Sequence, residues 1–130
     1  MCYNELIVRS GFMRDVSILT DNGVNLEGAL ELLGDLEFYD ETLESFLEEN
    51  ETRLANIEKY KKELNMADYA ILVHALKSDS KYLGFMDLAD IAYNHEIASK
   101  ANNVDEVNKK YDELMAEVNK VTEIAKKYLG

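Results

Sequence analysis

The chain contains no proline among its 130 residues. Loop-rich and all-β chains spend proline on turns and sheet edges, so its absence points to helices stopped by other means. Cysteine is nearly missing too, with Cys2 alone. One thiol excludes an internal disulfide and a cysteine-rich zinc site, and Cys2 reads as an ordinary near-terminal thiol. Long apolar runs are also absent. Residues 1–20 hold Glu5 and Asp15, and their longest unbroken apolar run is Leu6-Ile7-Val8, so no signal peptide is expected. No run of about 18 apolar residues occurs, which excludes an ordinary membrane-spanning helix. A cytoplasmic protein is the expectation. Basic residues are scarce, 14 against 26 acidic, for a net charge of −12. Such a surface repels phosphate backbones and anionic lipid, so neither nucleic acid nor a membrane is expected as a partner.

What is present is a helical pattern. With 47% apolar and 31% charged residues the chain reads as one globular domain, large enough to bury about two thirds of its unfolded surface. The six glycines punctuate it, and Gly23, Gly34 and Gly84 sit where helix stops are expected. Residues 3–20 carry Val8, Phe12, Val16 and Leu19 on one helical stripe. A short helix follows over Leu26 to Leu33, with Asn25 as N-cap. A long helix is expected over about 36–64, capped by Asp35, with an apolar stripe running from Phe38/Tyr39 to Leu64. That stripe is interrupted by Glu48-Glu49-Asn50-Glu51, which reads as a solvated face. Further helices are expected over about 66–83, 87–101 and 104–128, the fourth opened by Asn103 and Glu106 in a capping-box pattern. In the third, Leu88, Ile91, Ala92, Ile97 and Tyr93 are candidates for the inward face. Links this short force neighbouring helices to run antiparallel. The expected fold is therefore all-α: an antiparallel up-down-up-down four-helix bundle over residues 23–130, with residues 1–22 as an additional N-terminal helical segment.

The helix over 66–84 carries the chemistry. At 100° per residue, Tyr69, Leu72, Val73, Leu76, Ser80 and Leu83 fall on one side and should face the core. The other side holds Ala67, Ala70, Ile71, His74, Lys77, Ser78 and Lys81. His74 is thus expected in solvent, among small and basic neighbours. In so acidic a chain, two lysines flanking an exposed imidazole form a local positive island suited to an anion such as a phosphoryl group. Ala67, Ala70 and Ser78 leave room around the ring for another protein, and Ile71 adds an apolar contact. Lysines near a helix C-terminus also serve the macrodipole, so position alone leaves the role of Lys77 and Lys81 open.

The string His74-Ala75-Leu76-Lys77-Ser78-Asp79-Ser80-Lys81-Tyr82-Leu83-Gly84 resembles the signature of histidine-containing phosphotransfer (HPt) domains, His-x-Leu-Lys-Gly-x-Ser-x-x-Leu-Gly. Six of the seven fixed positions match, and Ser78 stands where the family usually has Gly. The resemblance extends over about residues 23–130, through Gly23 to Leu30, Phe46-Leu47 and Leu88 to Ala92; residues 1–22 have no counterpart. It implies a phosphorelay carrier without kinase activity of its own. His74 would accept a phosphoryl group from a receiver-domain aspartate and pass it to another receiver. Lys77 would stabilise charge on the phosphoryl oxygens, with Lys81 a more distant helper. Ala67, Ala70, Ile71, Ser78 and Lys81 would form the receiver docking face. The implied partners are response-regulator receiver domains and a hybrid sensor histidine kinase. No cofactor is needed on this chain, since Mg²⁺ belongs to the receiver.

Three readings stand beside this one. A non-transferring HPt-like adaptor that binds a receiver or kinase is the alternative, motivated by Ser78 and the unmatched N-terminus; a structural bundle subunit is the other. Ser80 is expected to face the core with its hydroxyl on the i−4 carbonyl. His95 has no lysine beside it and reads as a surface or helix-flank residue. Together with His74 it suggests a two-histidine metal or haem site, but no Glu-x-x-His pair accompanies them, so no metal site is expected.

Overall fold

The computed structural model describes residues 14–130. Among them are six helices and no strand: α1 (Ser17–Thr20), α2 (Leu26–Leu33), α3 (Leu36–Lys62), α4 (Met66–Tyr82), α5 (Met86–Lys100) and α6 (Val104–Leu129). The readings resting on Cys2, Val8 and Phe12 lie outside the described residues. Within them, no helix is long and apolar enough to cross a membrane.

One stop is used four times. Gly23, Leu64, Gly84 and Asn102 adopt positive φ of 82°, 57°, 86° and 53°. After each, the next N–H turns back five residues: Val24 to the Leu19 carbonyl (3.1 Å), Asn65 to Tyr60 (2.9 Å), Phe85 to Ser80 (2.9 Å) and Asn103 to Ala98 (2.8 Å). This Schellman closure satisfies the last carbonyls of the outgoing helix without proline. The incoming helix is then capped almost at once. The side chains of Asn25, Asn65 and Asn103 accept from the N–H groups of Gly28, Asp68 and Glu106 at 3.1, 3.2 and 3.2 Å. Asp35 does the same for Phe38 at 2.8 Å. The Asn103 box is half-made, because the Asn103 N–H is already spent on Ala98. Only three residues thus separate α3 from α4, α4 from α5 and α5 from α6.

Gly84 does a second job. Its carbonyl accepts from the Asn25 N–H at 2.9 Å, and a Cβ on it would meet the Asn25 carbonyl oxygen at 2.6 Å. The start of α2 is therefore pinned against the end of α4. Tyr39 on α3 reinforces the corner, its buried hydroxyl donating to the Leu83 carbonyl at 2.7 Å. Residues 14–24 pack onto the bundle as well: Val16 and Leu19 are buried in the common core, and Arg14 bonds Asp40 at 2.7 Å and the Leu129 carbonyl at 3.4 Å. Asp40 also accepts from the Tyr128 hydroxyl at 2.7 Å, so one carboxylate ties the N-terminal segment, α3 and α6 together.

The core forms where the apolar stripes converge, with Tyr39, Leu43, Ile57, Tyr69, Leu76, Leu88, Leu114 and Tyr128 fully enclosed. Several stripe residues fall elsewhere. Leu64 is exposed because it occupies the left-handed stop after α3. Tyr93 and Ile97 are exposed, and the inward positions of α5 are taken by His95, Glu96 and Ser99. The polar stretch of α3 is solvated at Glu48, Glu49 and Glu51, but Asn50 is buried. There Arg53 Nη1 donates to Asn50 (3.0 Å) and Nη2 to Asp79 of α4 (2.7 Å), so a polar clasp replaces apolar packing at that level.

Candidate functional site

α4 packs between α3 and α5, most extensively against α5. Its buried side holds Tyr69, Val73, Leu76, Ser80 and, at its end, Leu83, as the periodicity requires. Ser80 makes no hydrogen bond through its side chain, so the expected bond to the i−4 carbonyl is not formed. On the outer side Ala67, Ile71 and Lys81 are exposed, while Lys77 and Ser78 are half-buried. Ala70 is a correction: it is buried, because the close neighbour α5 covers that flank of α4.

His74 stands in solvent with its base anchored. Its side chain is 55% exposed, yet Nδ1 lies 2.8 Å from Oε2 of Glu96, whose side chain is 4% exposed. A carboxylate oxygen only accepts, so Nδ1–H donates and Glu96 selects the tautomer with Nε2 unprotonated. The ring makes no other hydrogen bond among the described residues, which leaves Nε2 available.

Glu96 gathers two cations besides. Lys77 Nζ lies 3.1 Å from Oε1 and Lys100 Nζ 2.6 Å from Oε2. Burial pushes the Glu96 carboxyl up, but donation from Lys100, His74 and Lys77 outweighs it and holds the group at about 2. A buried carboxylate is otherwise costly, and these three donors are what make it tolerable. Lys77 is held twice, since its ammonium also sits 5.1 Å from the centre of the Tyr93 ring. The positive island around His74 is thus built around a buried negative charge.

Beside the imidazole a groove of about 590 Å³ opens between α4 and α5, lined by Met66, Ala67, Ala70, Ile71, His74, Glu96, Ser99, Lys100 and Asn102. Most of its surface is apolar, from Met66, Ala67, Ala70 and Ile71, with His74 and Lys100 beside them. Ala70, though buried, forms part of this lining, as does exposed Ile71.

His95 is the second correction. It is buried on the inner face of α5, with both ring nitrogens engaged. Nε2–H donates to the Lys110 carbonyl (3.1 Å), so Nδ1 is the acceptor of the Tyr69 hydroxyl (2.8 Å). Burial pushes its pKa below the usual value of 6.5. With its nitrogens so committed, His95 pairs with no metal alongside His74. Among the described residues no cluster of three or more His, Cys, Asp or Glu is arranged to hold a metal ion.

Glu96 and Lys100 were not anticipated. The available signal was a carboxylate lying on the stripe Leu88, Ala92, Ser99, four residues after Ala92 and three before Ser99, where an apolar residue belongs. Nothing in that spacing says which residue of α4 it meets.

The family model of the Hpt domain matches residues 41–123, which include α4, α5, His74 and Glu96. No curated protein and no solved structure matches the chain. A match covering well over half of the chain settles the family: the chain belongs to the Hpt domain family, the histidine phosphotransfer domains of phosphorelays.

Proposed function

We propose that this protein is a phosphorelay intermediate that carries a phosphoryl group on His74 between receiver-domain aspartates. The observation that carries this reading is an exposed imidazole whose Nδ1 is bonded to a buried carboxylate, leaving Nε2 free. The Nε2 lone pair attacks the phosphorus of an aspartyl phosphate. The N–P bond forms as the P–O bond breaks, and the carboxylate leaves with that electron pair. Nδ1 keeps its proton throughout, so the ring becomes cationic while facing Glu96. Discharge to a second aspartate is the reverse of these steps, and no proton need move in either direction. Phosphoryl transfer is mostly positioning and charge stabilisation, which suits a rigid helix pair with a cation beside the acceptor.

Lys77, one turn beyond His74, is the charge-stabilising residue in this reading. Glu96 is a positioning residue, acting through the imidazole. Ala67, Ala70, Ile71, Ser78 and Lys81 form the receiver docking face, with the groove as its apolar centre, and a hybrid kinase supplies the relay from upstream. The four long helices, α3 to α6, run up-down-up-down over the 23–130 unit, and residues 1–22 are an extension of it. A cytoplasmic setting goes with these partners.

The test is phosphoryl transfer from receiver domains phosphorylated on aspartate. The wild-type chain should take up acid-labile label and His74→Gln none. Glu96→Gln should retain uptake with a shifted pH–rate profile, since the amide oxygen still accepts from Nδ1–H but no longer offsets the cationic ring. Receiver binding that persists in His74→Ala, with no phosphohistidine formed by the wild type, would instead identify a non-transferring adaptor.

A further inference from the structure

We propose that Lys100 is the second phosphoryl-binding cation of this site, and that it exchanges Glu96 for the phosphoryl group when His74 is loaded. The inference rests on the carrier reading above and adds to it a residue from the other helix. Around the unloaded imidazole stand one carboxylate and two ammonium groups, Glu96, Lys77 and Lys100. With the ring neutral, the cluster holds one positive charge in excess. A phosphoryl group brings roughly −1.5 to −2, so the cluster is balanced for an anion that arrives later.

The two lysines are not equivalent. Lys77 is 24% exposed and is held by both Glu96 Oε1 and the Tyr93 ring. Lys100 is 65% exposed and held by Glu96 alone, one turn away on its own helix. The ammonium end of this pair stands in solvent although Glu96 is buried, and the lysine stem is long and flexible. Lys100 is therefore the cation free to move. It also shares the single oxygen Oε2 with His74 Nδ1, at 2.6 and 2.8 Å. Its departure returns that oxygen wholly to Nδ1–H at the moment the ring turns cationic, so one motion neutralises the phosphoryl oxygens and strengthens the anchor. Lys100 and His74 line the same groove, which gives the ammonium an open path. Lys81, by contrast, lies seven residues along α4, about 10.5 Å of helix rise from His74.

The experiment uses the full chain and a small-molecule donor, phosphoramidate, whose P–N bond breaks as ammonia leaves. Phosphohistidine formation and decay are followed by phosphorus NMR, and His74 ring nitrogens by nitrogen-15 NMR. Lys100→Met should slow loading about five- to tenfold, and Lys100→Arg should restore most of it. Lys109→Met, which removes an exposed lysine of α6 at equal charge cost, should change it less than twofold. In the wild type, loading should move the Lys100 ammonium resonance, and urea unfolding should show each variant folded under the assay conditions. Equal loading and decay in Lys100→Met and wild type would overturn the assignment while leaving the carrier reading intact. If the wild type takes no label from phosphoramidate or from a phosphorylated receiver, both fall.

Discussion

Replacing Gly84 by alanine separates two effects that the fold combines at one residue. Gly84 and Gly23 occupy the same position of the same helix stop, at nearly the same φ of 86° and 82°. They differ in surroundings: a Cβ on Gly23 has nothing within 4 Å, whereas one on Gly84 lies 2.6 Å from the Asn25 carbonyl oxygen and 2.9 Å from its carbon. Both alanines incur the left-handed penalty, about 1–2 kcal/mol, less about 0.4–1 kcal/mol regained from the unfolded chain. Only Gly84→Ala adds a backbone collision, typically about 1–3 kcal/mol when a packed interior must give. The colliding atoms are backbone, so they yield by moving α2, which stretches the 2.9 Å bond from the Asn25 N–H to the Gly84 carbonyl, a loss of about 1 kcal/mol. Gly23→Ala should therefore cost roughly 0–1.5 kcal/mol and Gly84→Ala roughly 2–5.5 kcal/mol. Urea unfolding reads the difference directly as midpoints at unchanged slope. Equal midpoints for the two variants would refute the claim that the α2–α4 contact, and not the helix stop alone, requires glycine at the end of the phosphotransfer motif.

Further outcomes concern the buried polar groups. Glu96 has its pKa held at about 2, below its ordinary 4.5, so the stability it supplies is complete above 4.5 and lost as pH falls toward 2. The urea-midpoint advantage of wild type over Glu96→Gln should shrink through that window; a constant advantage would show that the three donors do not act on the ionised carboxylate. His95 is also lowered, but as a base: the unfolded chain takes up its proton first, so stability falls as pH drops below 6.5. The groups facing it are Tyr69 on α4 and Lys110, Glu106 and Glu113 on α6. His95→Gln should be less stable at neutral pH and flatter in its pH dependence below 6.5. Ser80 buries a hydroxyl with no hydrogen-bond partner, an arrangement costing about 1–3 kcal/mol. Ser80→Ala should therefore leave the thermal midpoint unchanged or raise it, and a marked fall would show that the hydroxyl has a partner.

The helical segmentation was legible because it is local. Asn25, Asp35 and Asn103 cap the helices whose starts they mark, and the α4 periodicity puts His74 in solvent and Leu76 inside. The misreadings share one origin. Ala70, Tyr93 and Ile97 were assigned from the spacing within a single helix, and His95 from having no lysine beside it, but burial depends on how closely a neighbour approaches and from which side. α5 lies against α4 closely enough to cover Ala70, and its inner face takes the polar triplet His95, Glu96 and Ser99 where the apolar pattern favoured Ile97. A histidine with a tyrosine hydroxyl and a carbonyl within reach is as admissible inside as a leucine.

Sequence alone determined that the chain is helical, where its helices begin, and that His74 with Lys77 sits on an outward face in a phosphotransfer motif. Those properties follow from 3.6-residue periodicity, capping side chains and a run of eleven residues, all read along one helix. Tertiary structure alone decided what holds the histidine ring. The partner of Nδ1 lies 22 residues away on a different helix, and it is one carboxylate among 26 acidic residues until α4 and α5 set their register. That register buries Glu96, joins Lys77 and Lys100 to it, and fixes which nitrogen of His74 carries the hydrogen bond. A charge acquires such a role only when packing removes it from water and places its counter-charges within a few ångströms.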